Sequence, residues 1–246
     1  MILLIGFFAG VFGGLFGVGG GLVMIPLMVG LLKVTQLRAH GTSLAAMVFV
    51  GISGAVTYAL HGSVDFLASI ILAAPAMVTA HFGARHATFL PEKRLKRSFG
   101  IFLIIVSGLL FLKPVLSRLA FSAEGWCKVL VLLAAGALTG FLSGMMGVGG
   151  AVVMIPAMML LVGMDQHTAQ GSSLMTMVPM GIAGALTHIN YGNVETRLLW
   201  GLVPGVFIGT YFGGTAAHFL TDGTLRSVFG VMVIWTALRY LKGTGT

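Results

Sequence analysis

The sequence predicts an all-α integral membrane protein built by internal duplication, and three observations carry that expectation. The chain is 57% hydrophobic and only 8% charged, where soluble domains carry about 25% charged residues. Its mean hydropathy is +1.03. Apolar runs recur along its whole length, against a need of roughly 20 residues for a crossing helix. Finally, residues 10–100 return 130 positions later as residues 140–230 with no net insertion. Eight membrane-embedded segments follow, four in each repeat, with the repeats divided as 1–121 and 122–246.

Taken in order, the apolar stretches are 1–32, 41–60, 66–90 and 98–112, then 126–162, 171–189, 198–220 and 227–240. The first lacks a basic n-region and has a mid-chain copy, so it reads as a structural segment and not as a cleaved signal. Thirty-two residues of helix would extend about 48 Å, well beyond a hydrocarbon core of about 30 Å. Near its middle lies Gly17-Val-Gly-Gly-Gly-Leu-Val-Met-Ile-Pro26, and the fifth segment carries Gly147-Val-Gly-Gly-Ala-Val-Val-Met-Ile-Pro156. The first and fifth segments are therefore expected to be broken or re-entrant at these glycines.

Whether they cross decides the symmetry. With crossing first and fifth segments the repeats share one orientation, and Lys33, Arg38, Arg85, Lys93, Arg94, Lys96, Arg97 and Arg226 face the other six Lys and Arg. With re-entrant ones the repeats are inverted; only Lys113, Arg118, Lys128 and Arg226 then oppose the remaining ten of the fourteen. The second division obeys the positive-inside rule better, so inverted repeats are expected.

Glycines elsewhere read as packing faces. Gly136, Gly140 and Gly144, and Gly201, Gly205, Gly209 and Gly213, are spaced by four, which lets helix backbones approach closely in lipid. Pro75, Pro179 and Pro204 fall inside spans and remove backbone donors there.

All six acids, Asp65, Glu92, Glu124, Asp165, Glu195 and Asp222, lie in loops or at segment edges. Cation and proton pumps generally need acids buried in the membrane, so their absence weighs against a metal-ion or carboxylate-relayed mechanism. Asp65 with Glu195, and Glu92 with Asp222, are repeat-related and open segments, where a carboxylate caps free N–H groups. The single Cys127 excludes an intrachain disulfide and a cysteine metal site. No cofactor is implied. The +8 net charge reflects basic loops beside spans and does not point to nucleic acid.

Two elements carry candidate chemistry. Breaking a helix exposes N–H groups at the start of the next half-helix, and such a terminus attracts anions. Gly17, Gly19 and Gly20 with Gly147, Gly149 and Gly150 would then form a paired anion site; the alternative is a tight, close-packed turn. The second element is His40-Gly-Thr42-Ser43 and Gln170-Gly-Ser172-Ser173, each preceded by a glutamine, Gln36 or Gln166. These hydroxyls suit an oxyanion and equally suit N-caps. Arg85 either attracts an anion or snorkels to the surface, and His61 and His188 lie near segment ends, where a proton-sensitive gate or an interfacial anchor both fit.

These duplicated glycine motifs, the Ala-x-Gly-Thr/Ser-Ser-Leu stretches at 39–44 and 169–174, and Gly83-Ala-Arg85 together resemble the TauE/SafE family of sulfite exporters along nearly the whole chain. The resemblance implies a non-enzymatic, multi-pass inner (plasma) membrane permease for small sulfur-containing anions such as sulfite, sulfoacetate or related organosulfonates. It implies alternating access at a site between the repeats. Two departures stand out: Ala151 replaces Gly21, and Gly213-Gly-Thr215 replaces the Gly83-Ala-Arg85 stretch. The expected partners are a small anion and the bilayer, with a homodimer compatible. The competing classes are a non-transporting scaffold or subunit and a cation transporter.

Overall fold

The computed structural model describes residues 1–91 and 125–221, with isolated positions at 104, 223–225, 227, 228, 231 and 234. The expected segments 98–112 and 227–240 and the cap residues Glu92 and Asp222 fall largely outside the described residues. What is described is all helical: α1 (Ile2–Phe16), α2 (Gly21–Leu31), α3 (Gln36–Leu60), α4 (Phe66–Ala87), α5 (Trp126–Met146), α6 (Ala151–Leu161), α7 (Gln166–Asn190) and α8 (Thr196–Ala217). Helices α2, α3 and α4 reappear 130 residues on as α6, α7 and α8, with identical lengths. Of these, α3, α4, α5 and α8 are long and apolar enough to cross a membrane.

The two long apolar stretches do break at their glycines. Gly17, Gly19 and Gly20 adopt φ of 70°, 75° and 72°, and Gly147, Gly149 and Gly150 adopt 68°, 87° and 56°. Glycine reaches that left-handed region at little cost, whereas a side chain there is strained. Beyond the turn the chain doubles back: a Cβ on Gly20 would meet the carbonyl of Ala9, and one on Gly13 would meet the Gly20 amide. Helix α2 has 11 residues, the same rise as Gln36 to Met47 of α3, and Met47 touches Gly19. Helix α2 thus returns the chain to the level where α3 begins.

Close glycine contacts give the helix directions. Gly6, Gly10 and Gly14 of α1 lie on the backbone of Leu202, Val206 and Thr210, so α1 and α8 run parallel. In return Gly205, Gly209 and Gly213 receive Leu3, Phe7 and Val11 of α1. Gly136, Gly140 and Gly144 of α5 lie on Leu72, Ala76 and Ala80 of α4 in the same way. The expected packing glycines are therefore packing glycines, joined by Gly6, Gly10 and Gly14, which the sequence reading passed over. At the centre α3 and α7 cross antiparallel, Gly51 facing Leu174 and Val178 while Gly181 faces Leu44 and Val48.

Side chains tie the ends. Arg38 pairs with Glu195, placing the starts of α3 and α8 together. At the opposite end Ser172 of α7 accepts the Asp65 amide at 2.9 Å, and Lys128 of α5 lies 3.6 Å from the Asp65 carboxylate. Asp65 also caps α4 as expected, accepting from the Ala68 amide at 2.9 Å. Glu195 stands at the corresponding N-cap of α8 without a side-chain cap bond, because its carboxylate turns to Arg38.

The outer surface is apolar. Phe66, Leu67, Ile70, Val78, Phe207, Ile208 and Phe212 are all exposed, and Trp126, Trp200 and Phe219 are bared at helix ends. Water would penalise such a surface heavily, while lipid does not, and aromatic residues at both ends match the membrane interfaces.

Candidate functional site

Both glycine turns meet at the centre of the bundle. A Cβ on Gly21 would overlap the carbonyl of Gly147 and press on Val148, and one on Gly149 would lie 2.6 Å from the Val18 carbonyl. The hairpin tips therefore slide past one another. Met47, fully buried, sits against both, its sulfur 2.5 Å from a Cβ on either Gly19 or Gly149. The Gly21 contact explains why the first copy keeps glycine at this position, where the second carries Ala151.

Each tip is also gripped by one side chain of its own half and one of the other, all from α3 and α7. On α1–α2, the Tyr58 hydroxyl lies 2.9 Å from the Gly14 carbonyl and 3.0 Å from Gln170 Oε1, which share its single hydrogen, while Gln170 packs on Gly17. On α5–α6, His188 Nε2 donates to the Gly144 carbonyl at 3.0 Å, and His40 Nδ1 donates to the Met145 carbonyl at 3.2 Å. His40 also packs on Gly147. The last carbonyls of a helix lack intrahelical partners, and these side chains supply them. His188 is completely buried, which corrects its reading as an interfacial anchor.

The four hydroxyls singled out from the sequence all bond to protein. Thr42 Oγ1 donates to the Arg38 carbonyl at 2.7 Å and accepts the Glu195 amide at 2.9 Å. Ser43 Oγ reaches the carbonyls of His40 and Gly147 at 2.8 and 2.7 Å. Ser172 holds the Asp65 amide, and Ser173 Oγ donates to the Gly17 carbonyl at 3.3 Å. None is an N-cap: α3 and α7 begin at Gln36 and Gln166, several residues earlier, and α7 is capped by Asp165. Thr42 and Ser172 fasten loops, whereas Ser43 and Ser173 fasten the tips.

Gln36 is buried and sits 2.8 Å from His40 Nε2; Gln166 is buried at the start of α7. Arg85 lies on the exposed last turn of α4, two residues beyond Gly83, which packs on Phe141 and Met145 of α5. It does not join the tips. Two hydroxyls missed in the sequence, Thr139 and Ser143 of α5, are buried with no hydrogen-bond partner among the described residues. Thr139 faces Gly150, and Ser143 lines a small cleft with Met146, Val148, Gly150 and Val152. Their repeat counterparts, Ala9 and Gly13, carry no hydroxyl, so no duplicated signal marked them. Among the described residues no cluster of His, Cys, Asp or Glu is placed to hold a metal ion.

An apolar exterior, several crossing-length helices and an interior of paired backbone turns define a multi-pass helical membrane protein. The chain belongs to the sulfite exporter TauE/SafE family, whose model matches residues 2–240, and it is a membrane transporter by that membership. It is 27% identical over 256 residues to the "Probable membrane transporter protein YunE" of Bacillus subtilis (strain 168), covering 95% of this chain and 94% of that one. It is 29% identical over 246 residues to a "Probable membrane transporter protein" of Xylella fastidiosa (strain 9a5c), covering 96% and 90%. A "Probable membrane transporter protein" of Haemophilus influenzae is 26% identical over 262 residues, with 98% of each chain covered. No solved structure matches the chain.

Proposed function

We propose that this protein is an inner-membrane permease for small sulfur-containing anions, sulfite or organosulfonates such as sulfoacetate, working by alternating access between two inverted four-segment repeats. The reading takes α1–α2 and α5–α6 as re-entrant hairpins that enter from opposite faces. Antiparallel α3 and α7 support the inversion, because a pseudo-two-fold axis in the membrane plane reverses equivalent helices. The Arg38–Glu195 pair supports it too, since it sets the basic loop at Lys33 and Arg38 beside Arg197.

The observation that carries the anion reading is the meeting of the two glycine tips, each opening a helix, α2 or α6, towards the centre. Helix N-termini present free N–H groups and the positive end of the backbone dipole. The turn and the site are one device: the left-handed glycines that make the turn bring no side chain of their own to the contact. The sulfur chemistry comes from the family.

A thermal-shift screen of the purified protein tests this reading, using sulfite, sulfate, thiosulfate, sulfoacetate, taurine and divalent cations. A site filled at a hundred times its dissociation constant adds about 2.7 kcal/mol. Stabilisation by sulfur oxyanions or sulfonates is the expected result; stabilisation by divalent cations alone, or by nothing, contradicts it.

A further inference from the structure

We propose that His40 and His188 form a proton-binding site that couples anion movement to a proton through the α5–α6 hairpin. The inference rests on the permease reading above and adds the coupled ion and its location. It starts from a difference between halves that are otherwise matched. The carbonyls of Gly14 and Gly144 are repeat equivalents, and the residues bonded to them, Tyr58 and His188, are equivalents as well. Gln170 and His40, which pack on Gly17 and Gly147, are the next equivalent pair. One hairpin is thus held by a phenol and an amide, which do not titrate near neutrality. The other is held by two imidazoles, which do.

The hydrogen bonds define where a proton would go. A carbonyl accepts only, so His188 Nε2 carries hydrogen towards Gly144, and its Nδ1 has no partner among the described residues. His40 Nδ1 carries hydrogen towards Met145, which leaves Nε2 as the acceptor from the Gln36 amide nitrogen at 2.8 Å. Each ring thus has one nitrogen that donates to a carbonyl and a second that can take up a proton. Protonation of His40 keeps its bond to Gln36 if that amide turns to present its oxygen. In the sequence Gln170 follows Gln166 at the place where His40 follows Gln36.

The added charge would act on the substrate. Gly144 and Met145 lie in the last turn of α5, the negative end of its dipole, where a cationic imidazole is favoured. Gly147 follows directly, and Ser43 Oγ joins the His40 carbonyl to the Gly147 carbonyl. A proton there places positive charge at the base of the tip that opens α6. An anion bound at the tip and a proton at its base favour each other, and release of one weakens the other. Among the described residues the titratable and charged groups on this side are His81 of α4, bonded to Thr187 beside His188, and Arg38, Glu195 and Tyr191 at the exposed end. The paired Arg38 and Glu195 offset each other.

The test uses the other half's residues as replacements. Protein carrying H40Q and H188Y keeps side chains that already make the equivalent contacts in this fold. Wild type and variant are reconstituted in vesicles containing a pH dye, and uptake of sulfite and of sulfoacetate is followed with and without acid outside. Sulfoacetate matters because its charge does not change near neutrality. Wild type is expected to carry protons inward with sulfoacetate and to accumulate it above the outside concentration. The double variant is expected to equilibrate sulfoacetate downhill, with at least a tenfold loss of proton movement per anion. H218Q, altered at the end of α8, should keep the wild-type ratio, and the single H40Q variant gives the same reading if the double variant fails to fold. Wild-type sulfoacetate flux without proton movement, or a variant with the wild-type ratio, overturns the proton site and leaves the permease reading standing. No flux of either anion through wild type overturns both.

Discussion

Tyr58 and His188 occupy equivalent places in the two halves, and each donates a hydrogen bond to the equivalent carbonyl, Gly14 or Gly144, near the end of a hairpin's first helix. Both side chains are fully buried. Removing either donor strands a buried acceptor, which costs about 1–3 kcal/mol. Y58F and H188F should therefore lower the melting temperature in detergent, while H188Y, which restores a hydroxyl, should lose less. Equal losses for H188F and H188Y would show that the carbonyl contact is not what matters.

Glycine substitutions separate contact from conformation. At Gly140 a Cβ would run into the Ala76 carbonyl and Thr79 Oγ1 of α4, whereas around Gly30 nothing lies within 4 Å. G140A should destabilise by about 1–3 kcal/mol through overpacking. G30A should stabilise by about 0.5–1 kcal/mol, because alanine is the better helix former. The two melting shifts should have opposite signs.

Where α3 and α8 end and α7 begins, the rings of His61 and His218 stack at 4.0 Å, with His167 at 5.2 Å and Tyr58 at 4.7 Å from His218. Burial first, and then the neighbouring His61 and His167, hold His218 below the usual imidazole range despite its bond to the Gly214 carbonyl. Asp165, near His167, is held below the usual carboxylate range: burial pushes it up, but bonds from Thr168 outweigh that. A histidine with a lowered folded pKa protonates later than its unfolded form, so stability is unaffected well above about pH 6.5 and falls as pH drops through that value. Melting curves in detergent should show this decline, and H218Q should flatten it. An unchanged slope would remove His218 as its source.

The hairpin reading places Met1–Ile5 and Lys33–Arg38 on one face of the membrane. In a C127S background, single cysteines at Leu3 and Lys33 should react with an impermeant maleimide from the same side. Reaction from opposite sides would restore crossing first and fifth segments and remove the inversion.

Much of this was legible because it was local or repeated. The glycine turns announced themselves in two copies, and Gly136, Gly140 and Gly144 did so by spacing. The grip on the tips was not legible, since Tyr58 reaches Gly14 and Ser43 reaches Gly147 across 44 and 104 residues. Thr42 and Ser172 looked like caps or ligands because a small hydroxyl at the edge of an apolar run suits both. Only the position of the opposing loop shows that each holds the amide of Glu195 or Asp65. His188 was misplaced because closeness to a segment end suggested exposure, while Gly41 and Gly144 leave room to bury it.

The most direct measurement of the central claim is flux of labelled sulfite and sulfoacetate into proteoliposomes containing wild type, G19V or G149V. Gly19 and Gly149 have positive φ and abut Met47, so valine should displace the tips while the outer helices keep their interlocked faces. The expected result is saturable flux through wild type and at least a tenfold loss in both variants that still elute as folded protein. Unaltered flux through folded G19V and G149V would contradict a site built from the two glycine tips.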